Sequence, residues 1–292
     1  TAKSKRELAD PPDRAKRALE QSIQTDFSGS MSYGRYLDLD TLLSAQHPRS
    51  RPELHDEMLF IIQHQVAELW LKLLLHELRS ARSHIASDEL APALKRLARV
   101  KHIQRQLIEQ WDVLATLTPS EYAEIRPFLA TSSGFQSYQY RAVEFLLGNK
   151  NHDMIAVFEH DEPVKAMLTQ LWEEPTIYDE FLRYLARHGY PVPASVLQRD
   201  IREPYRMVPE LVSVFEGVYA APSEHWGVYE TCEELVDIED MFQQWRFRHL
   251  QVVLRTIGYK SGTGGSSGVS FLKRALDLTF FPELYEVRTR ID

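Results

Sequence analysis

Apolar residues recur every three or four positions along most of the chain, and this period predicts helices. The clearest segments cover about residues 35–46, 54–86, 88–115, 135–148, 175–188, 208–220 and 224–257. No stretch alternates apolar and polar residues in the manner of a half-buried strand. The pattern therefore predicts an all-α fold, a large bundle in which the longest helices pack together.

Local signals predict where some helices begin and end. The sequence TPSEY at 118–122 offers Thr118 as N-cap, Pro119 at the first helical position and Glu121 at the capping-box position. Pro127 predicts that this helix ends near Arg126. The sequence YPVP at 190–193 breaks the chain after a helix that closes with ARHG.

A histidine lies in the middle of the apolar face of each of two long helices. His64 falls on or near a line formed by Phe60, Ala67, Leu71, Leu74, Leu75 and Leu78. His249 shares its line with Ile238, Phe242, Trp245, Val253 and Thr256. Burying an imidazole costs free energy unless its nitrogens find partners. In one interpretation both histidines are structural and donate to backbone carbonyls. In the other, one of them holds a haem iron while apolar and aromatic side chains line the porphyrin, in a pocket between the long helices.

Composition narrows the class of protein. The chain has 292 residues and a net charge of −8, which argues against nucleic-acid binding. One cysteine, Cys232, excludes an intrachain disulfide framework and an iron–sulfur cluster. No apolar run approaches the roughly 20 residues that span a bilayer, so we expect no membrane association and a cytoplasmic location. The charged residues 1–25 predict a mobile tail, and 26–292 predict a single domain.

The sequence gives little support for other kinds of metal site. A carboxylate-bridged di-iron bundle needs Glu-x-x-His pairs, and no glutamate in the chain has a histidine three residues later. The sequence HELRS at 76–80 lacks the second histidine of a zinc-protease motif. No C-x-x-C-H occurs, so any haem would be bound non-covalently.

Two further segments carry candidate polar contacts. Tyr122 and Arg126 are four residues apart, so they share a helix face on which a guanidinium and a phenol could hold a carboxylate. The alternative is an ordinary surface arginine. The glycine-rich KSGTGGSSG at 260–268 matches neither nucleotide fingerprint. It is either a flexible linker or a lid whose Thr263 hydroxyl contacts a small ligand.

Four separated motifs carry a resemblance. They are HDEMLFIIQHQ, then PSEY with R, SSGFQS, QYR and EFLLGNKN, then W-x-FRH, and last GTGGSSGV-x-FL with FFPEL. In this order, over about residues 30–290, they resemble the tryptophan 2,3-dioxygenase family, and its bacterial members in particular. The motif positions show no departure from the family pattern.

The resemblance implies an all-α fold, haem b with ferrous iron in the active state, and a definite reaction. Members of the family insert both atoms of O2 across the indole C2–C3 bond of L-tryptophan to give N-formyl-L-kynurenine. This is the first step of tryptophan catabolism by the kynurenine pathway. The family also implies a homotetramer, arranged as a dimer of dimers.

The resemblance assigns roles to individual residues. His249 is the proximal iron ligand, and His64 meets the indole N–H on the opposite side of the haem, either orienting it or acting as a base. Arg126, Tyr122 and Thr263 contact the amino-acid head of the substrate. Other side chains line the pocket: Phe60 and Leu129 near the indole, and Ser133 and Gly134 at the distal side, where they border substrate and haem.

The family also completes each pocket with a segment from a neighbouring subunit. Residues 30–46 correspond to that segment, through Tyr33, Tyr36 and Leu37. Two rival functions remain open. One is a haem-based gas sensor without turnover, for which the chain has no spare length to hold an output domain. The other is a cofactor-free helical scaffold in which both histidines are structural.

Overall fold

The computed structural model describes residues 17 and 19–291, and the described chain divides into two compact units at residues 47 and 48. Most of the predicted N-terminal tail, residues 1–16 and 18, lies outside the described residues. Helices dominate, and no strand occurs in residues 19–291. The all-α fold is confirmed.

The helices are numbered here in chain order. They are α1 Tyr33–Leu37, α2 Leu39–Leu43, α3 His55–Ala86, α4 Leu90–Leu114, α5 Pro119–Leu129, α6 Tyr138–Leu147, α7 Glu162–Glu173, α8 Ile177–Arg187, α9 Ala194–Leu197, α10 Pro209–Ala220, α11 Trp226–Ile257, α12 Val269–Ala275 and α13 Pro282–Glu286. Short 3₁₀ helices cover Gly134–Gln136, His152–Phe158 and Val287–Thr289.

The first unit carries two short helices where the sequence pattern predicts one over 35–46. Asp38 adopts a left-handed conformation with φ of 51° and separates α1 from α2. A non-glycine residue in this region ends a helix because its Cβ crowds the following carbonyl. Tyr33, Tyr36 and Leu37 of α1 are exposed. The prediction of a single continuous helix here is wrong.

The second unit is built on its three longest helices. α4 packs against both α3 and α11, while α6 and α8 pack on α3, and α5 contacts α3 and α11. The bundle predicted from the longest periodic segments is confirmed. The pattern leaves out α7, although Asp161 caps it through a 3.2 Å bond from the Val164 N–H and a proline follows in its first turn.

The core has two parts. A large apolar cluster joins α3, α4, α6, α8, α10 and α11 with the C-terminal residues 280–287. A smaller cluster lies where the end of α4 meets α5 and α11, and includes Trp111, Ile125 and Val252. The candidate site is built around this smaller cluster.

α3 has an unusual surface. It is long and apolar enough to cross a membrane by length and composition, which corrects the expectation that no segment comes near that limit. One such helix is weak evidence for a membrane span. Only 17% of its most apolar window is buried, so a large part of its apolar surface is exposed.

Candidate functional site

Two imidazoles from different helices approach each other beside the smaller cluster. Burial and, to a smaller extent, the nearby His64 of α3 lower the pKa of His249 on α11 to about 4. Burial also lowers the pKa of His64, partly offset by a bond to the Phe60 carbonyl and by Glu68. Both rings are therefore neutral at pH 7, and they are close enough that a charge on one would disfavour a charge on the other.

One ring nitrogen of His64 has a fixed role. Nδ1 lies 2.7 Å from the backbone oxygen of Phe60. A carbonyl can only accept, so Nδ1 carries the proton and donates, and Nε2 keeps a lone pair. The Phe60 ring lies 4.3 Å from the imidazole, centroid to centroid. His64 therefore offers a hydrogen-bond acceptor next to an aromatic surface.

His249 contacts two tryptophans, which also contact each other. The Trp111 ring of α4 lies parallel to it, with centroids 4.8 Å apart and 9° between the planes. The Trp245 ring lies 5.4 Å away at 47°. Within residues 19–291, no side chain or backbone group forms a hydrogen bond with the His249 ring. The structural interpretation therefore describes His64, which bonds a backbone carbonyl, better than His249.

Several buried polar atoms near the site have no partner among the described residues. They are Trp111 Nε1, Arg126 Nη1, Trp245 Nε1 and Thr256 Oγ1. A buried donor without an acceptor costs roughly 1–3 kcal/mol. Other buried polar atoms of the described chain also lack partners, among them Gln104 Oε1 and Trp172 Nε1. The distinctive feature here is that two unpartnered indole donors contact one imidazole, an arrangement that a ligand would complete, because native proteins pair most of their buried polar groups.

The predicted clamp residues lie together on α5. The Thr118 and Glu121 capping box and Pro119 begin this helix as predicted. Burial raises the pKa of Tyr122, and the nearby Arg126 partly opposes that shift. Arg126 Nη2 donates to the Ser261 carbonyl at 2.6 Å. The prediction that Arg126 lies near the end of this helix is confirmed, since Arg126 is in the last turn of α5, which continues through Pro127 to Leu129.

The glycine-rich segment is packed rather than free. Thr263 Oγ1 donates to the Ser132 carbonyl at 2.5 Å, and Gly262 N donates to Ser266 O at 3.0 Å. A Cβ on Gly264 would lie 2.8 Å from Ser133 Cβ, so this close approach requires glycine. These contacts fit a lid over the turn at 131–134 better than an extended linker.

The structure brings most of the predicted site residues together. Phe60, Tyr122 and Leu129 pack against the smaller cluster, next to His64, Arg126 and His249. Ser133 lies under the lid and caps the 3₁₀ helix that begins at Gly134. The first unit, which ends at His47, contains Tyr33, Tyr36 and Leu37.

Sequence reasoning does not identify Trp111. Its position in α4 matches that of an ordinary core aromatic residue, and no motif surrounds it. Only the contact with His249 and the unpartnered indole N–H give it significance.

The donor set fits haem. Among the described residues, no group of three or more His, Cys, Asp or Glu side chains could hold a metal ion. Haem needs as little as one protein ligand, since the porphyrin supplies four nitrogens, and it needs apolar and aromatic walls. A neutral His249 packed against two tryptophans supplies both, and the unpartnered donors would meet the polar edge of such a group.

Comparison with known proteins places the chain among well-defined relatives. The family model described as "Tryptophan 2,3-dioxygenase" matches residues 18–170 and 154–291. A tryptophan 2,3-dioxygenase from Saccharopolyspora erythraea is 64% identical over 275 residues, covering 94% of this chain and 98% of the relative. The enzyme from Kineococcus radiotolerans is 65% identical, with 94% and 96% covered, and that from Myxococcus xanthus is 57% identical, with 96% and 97% covered.

Proposed function

The chain belongs to the tryptophan 2,3-dioxygenase family, and we propose that His249 and His64 flank a haem b at which it oxidises L-tryptophan with O2. The protein is a tryptophan dioxygenase, an oxidoreductase of tryptophan catabolism. Its product is N-formyl-L-kynurenine, formed by insertion of both oxygen atoms across the indole C2–C3 bond.

The buried His249 imidazole, with His64 near it, is the observation that carries this proposal. His249 is neutral, packs against Trp111 and Trp245, and forms no hydrogen bond within the described chain, so a lone pair is available to a metal. It would hold the haem iron. When bound, the haem supplies the ferrous iron that activates dioxygen.

His64 recognises the indole ring. Because Nδ1 donates to the Phe60 carbonyl, Nε2 is the nitrogen that accepts the indole N–H. Phe60 packs beside the indole, and Leu129 lies in the same cluster. An aromatic substrate without an N–H would leave Nε2 unpaired, at a cost of about 1–3 kcal/mol. This cost gives the site a preference for indole.

The opposite end of the substrate is an amino acid. Arg126 keeps Nη1 buried and unpartnered while Nη2 holds the lid at Ser261, so Nη1 is ready for a carboxylate oxygen. Tyr122 adds a phenol donor whose raised pKa keeps it protonated. Thr263 of the lid would contact the amino-acid head, and Ser133 and Gly134 would border both the substrate and the haem.

The lid excludes water from the reaction. It is held at two points by Arg126 and by the Ser132 carbonyl, both next to the substrate head. A closed, dry pocket strengthens the polar contacts to the substrate and limits the escape of reactive oxygen species.

We also propose a homotetramer, a dimer of dimers. α3 exposes Ile62, Val66, Leu69 and Leu73, between 36% and 49% each. Their spacing of four, three and four residues forms a seam of the kind that pairs helices. A second copy would cover this stripe, and α1 of a neighbour would complete each pocket with Tyr33, Tyr36 and Leu37. We expect the protein to act in the cytoplasm.

One experiment tests the function. The haem-loaded protein is reduced without oxygen, L-tryptophan is added, and O2 is admitted while the absorbance of N-formylkynurenine is followed. We expect product to form in amounts that match the O2 consumed. A reduced haem protein that binds O2 without product formation would favour a sensor. Purified protein that takes up no haemin would favour the cofactor-free scaffold.

A further inference from the structure

The indole N–H of Trp111 is a buried hydrogen-bond donor without an acceptor among the described residues. The Trp111 side chain is 9% exposed and its ring is stacked on His249. An indole nitrogen can only donate a hydrogen bond. The free-energy cost of burying this N–H is therefore relieved only by a group that brings a lone pair.

The position of Trp111 limits what the acceptor can be. The ring centroids of Trp111 and His249 are 4.8 Å apart, so a group held by His249 would lie beside the Trp111 indole. Haem offers hydrogen-bond acceptors only at its two propionate carboxylates, because its four nitrogens bind the iron. A hydrogen bond to a carboxylate is worth about 1.5–3 kcal/mol, roughly twice a neutral one.

We propose that the indole N–H of Trp111 donates to a haem propionate. Trp111 is then a cofactor-binding residue with two contacts. Its ring orients the His249 imidazole by stacking, and its N–H holds the haem through a propionate carboxylate. This inference rests on the proposed haem site.

Trp172 has the same unpartnered N–H in a different setting. It packs against the larger core cluster, and its ring lies 4.5 Å from that of His152, centroid to centroid. Trp111 belongs to the smaller cluster, where its ring is stacked on His249. Trp172 therefore serves as a matched control, a tryptophan of equal size that is no part of the proposed haem site.

The test compares haem loss from Trp111→Phe, Trp172→Phe and the unaltered protein. Phenylalanine keeps an aromatic ring and removes the N–H together with part of the indole. Each haem-loaded protein is mixed with excess apomyoglobin, and the transfer of haem is followed by absorbance. We expect haem loss about tenfold faster from Trp111→Phe. Haem loss from Trp172→Phe should stay within about twofold of the unaltered rate.

A cofactor analogue removes the same contact from the other side. Haemin with one propionate replaced by methyl, in each of its two isomers, is loaded into the unaltered protein and into Trp111→Phe. The unaltered protein should lose one isomer about tenfold faster than it loses haemin. Trp111→Phe should lose that isomer and haemin at the same rate, because the contact is already absent. This non-additivity would not arise if Trp111 acted only by packing.

The outcomes separate the two proposals. An unaltered protein that binds no haemin overturns the proposed function. An unaltered protein that binds haemin, with equal haem loss from Trp111→Phe or equal acceleration in both tryptophan variants, overturns the role of Trp111 alone. Additive effects of the substitution and the missing propionate also overturn it.

Discussion

Two regions of the second unit treat buried polar groups in opposite ways. Around Glu283, which is fully buried, every acceptor is used: Tyr178 Oη donates at 3.0 Å, Tyr205 Oη at 2.8 Å and the Val208 N–H at 2.7 Å. Around His249, the nearest buried donors, Trp111 and Trp245, have no acceptor among the described residues.

The boundary between these regions runs along α11. Arg246, three residues before His249, is fully engaged by Glu144 and by the carbonyls of Ala275 and Leu278. One helical turn later, two indole N–H groups lie against His249, and neither has an acceptor among the described residues. Single buried atoms elsewhere also lack partners, Gln243 Oε1 among them. Two unpartnered donors against one imidazole favour the interpretation that a ligand completes this region.

Replacing His249 should have the largest effect on the unpaired region. His249→Ala leaves the iron without its proximal ligand, so we expect the protein to lose haem and its normal Soret band. The measurement is haem content and the absorption spectrum after purification. His64→Ser is the control, and it should keep its haem while turning over L-tryptophan more slowly. An unchanged Soret band in His249→Ala would contradict the ligand assignment.

The paired region should respond through stability instead. Glu283→Leu leaves two tyrosine hydroxyls and one backbone N–H without an acceptor, so we expect a loss of about 3–5 kcal/mol in the free energy of unfolding. Glu286→Leu, in the same short helix but only partly buried, should cost less than about 1 kcal/mol. Urea unfolding of the three proteins measures both values. Similar losses in the two variants would mean that the hydrogen bonds of Glu283 contribute little.

A milder change tests the substrate end of the unpaired region. Arg126→Lys keeps the charge but loses the planar fork, so one nitrogen can no longer hold Ser261 while the other holds a carboxylate. We expect KM for L-tryptophan to rise by about tenfold or more with the haem spectrum unchanged. Arg99→Lys, whose arginine bonds Glu77 elsewhere on the bundle, should leave KM unaltered. An unchanged KM in Arg126→Lys would remove Arg126 from the substrate site.

Much of this architecture could be predicted from the sequence. Long periodic segments predict α3, α4 and α11 because tertiary packing reinforces a strong local pattern. The local pattern around Asp38 did not suffice, because the left-handed conformation of that one residue divides the predicted helix. The two histidines were identifiable because an imidazole on an apolar face conflicts with its surroundings.

Other parts of the site could not be predicted. A tryptophan in a core helix conflicts with nothing, so Trp111 gave no signal before its unpartnered N–H was located in space. The lid contacts at Ser132 and Ser261 use backbone carbonyls, which every residue possesses. The roles of the side chains around the haem remain predictions that rest on family resemblance and on this geometry.

The smallest expected effect comes from Lys150, a buried charge held by carbonyls of Trp172 and Glu174. Burial lowers its pKa from 10.5 to about 8. Between those values the unfolded chain binds a proton that the folded protein has released, so folding becomes more favourable as pH rises, by at most about 1.4 kcal/mol per pH unit. Lys150→Met lacks this term, so from about pH 7.5 to about pH 9.5 urea unfolding should show the unaltered protein gaining roughly 1–2 kcal/mol on the variant. Lys101→Met is the control, because carboxylate partners outweigh burial and raise the Lys101 pKa above this range. If the free energies of unfolding of the unaltered protein and Lys150→Met differ by the same amount at every pH, the carbonyls keep Lys150 charged over this range. Backbone carbonyls would then stabilise this buried ammonium as well as a carboxylate does.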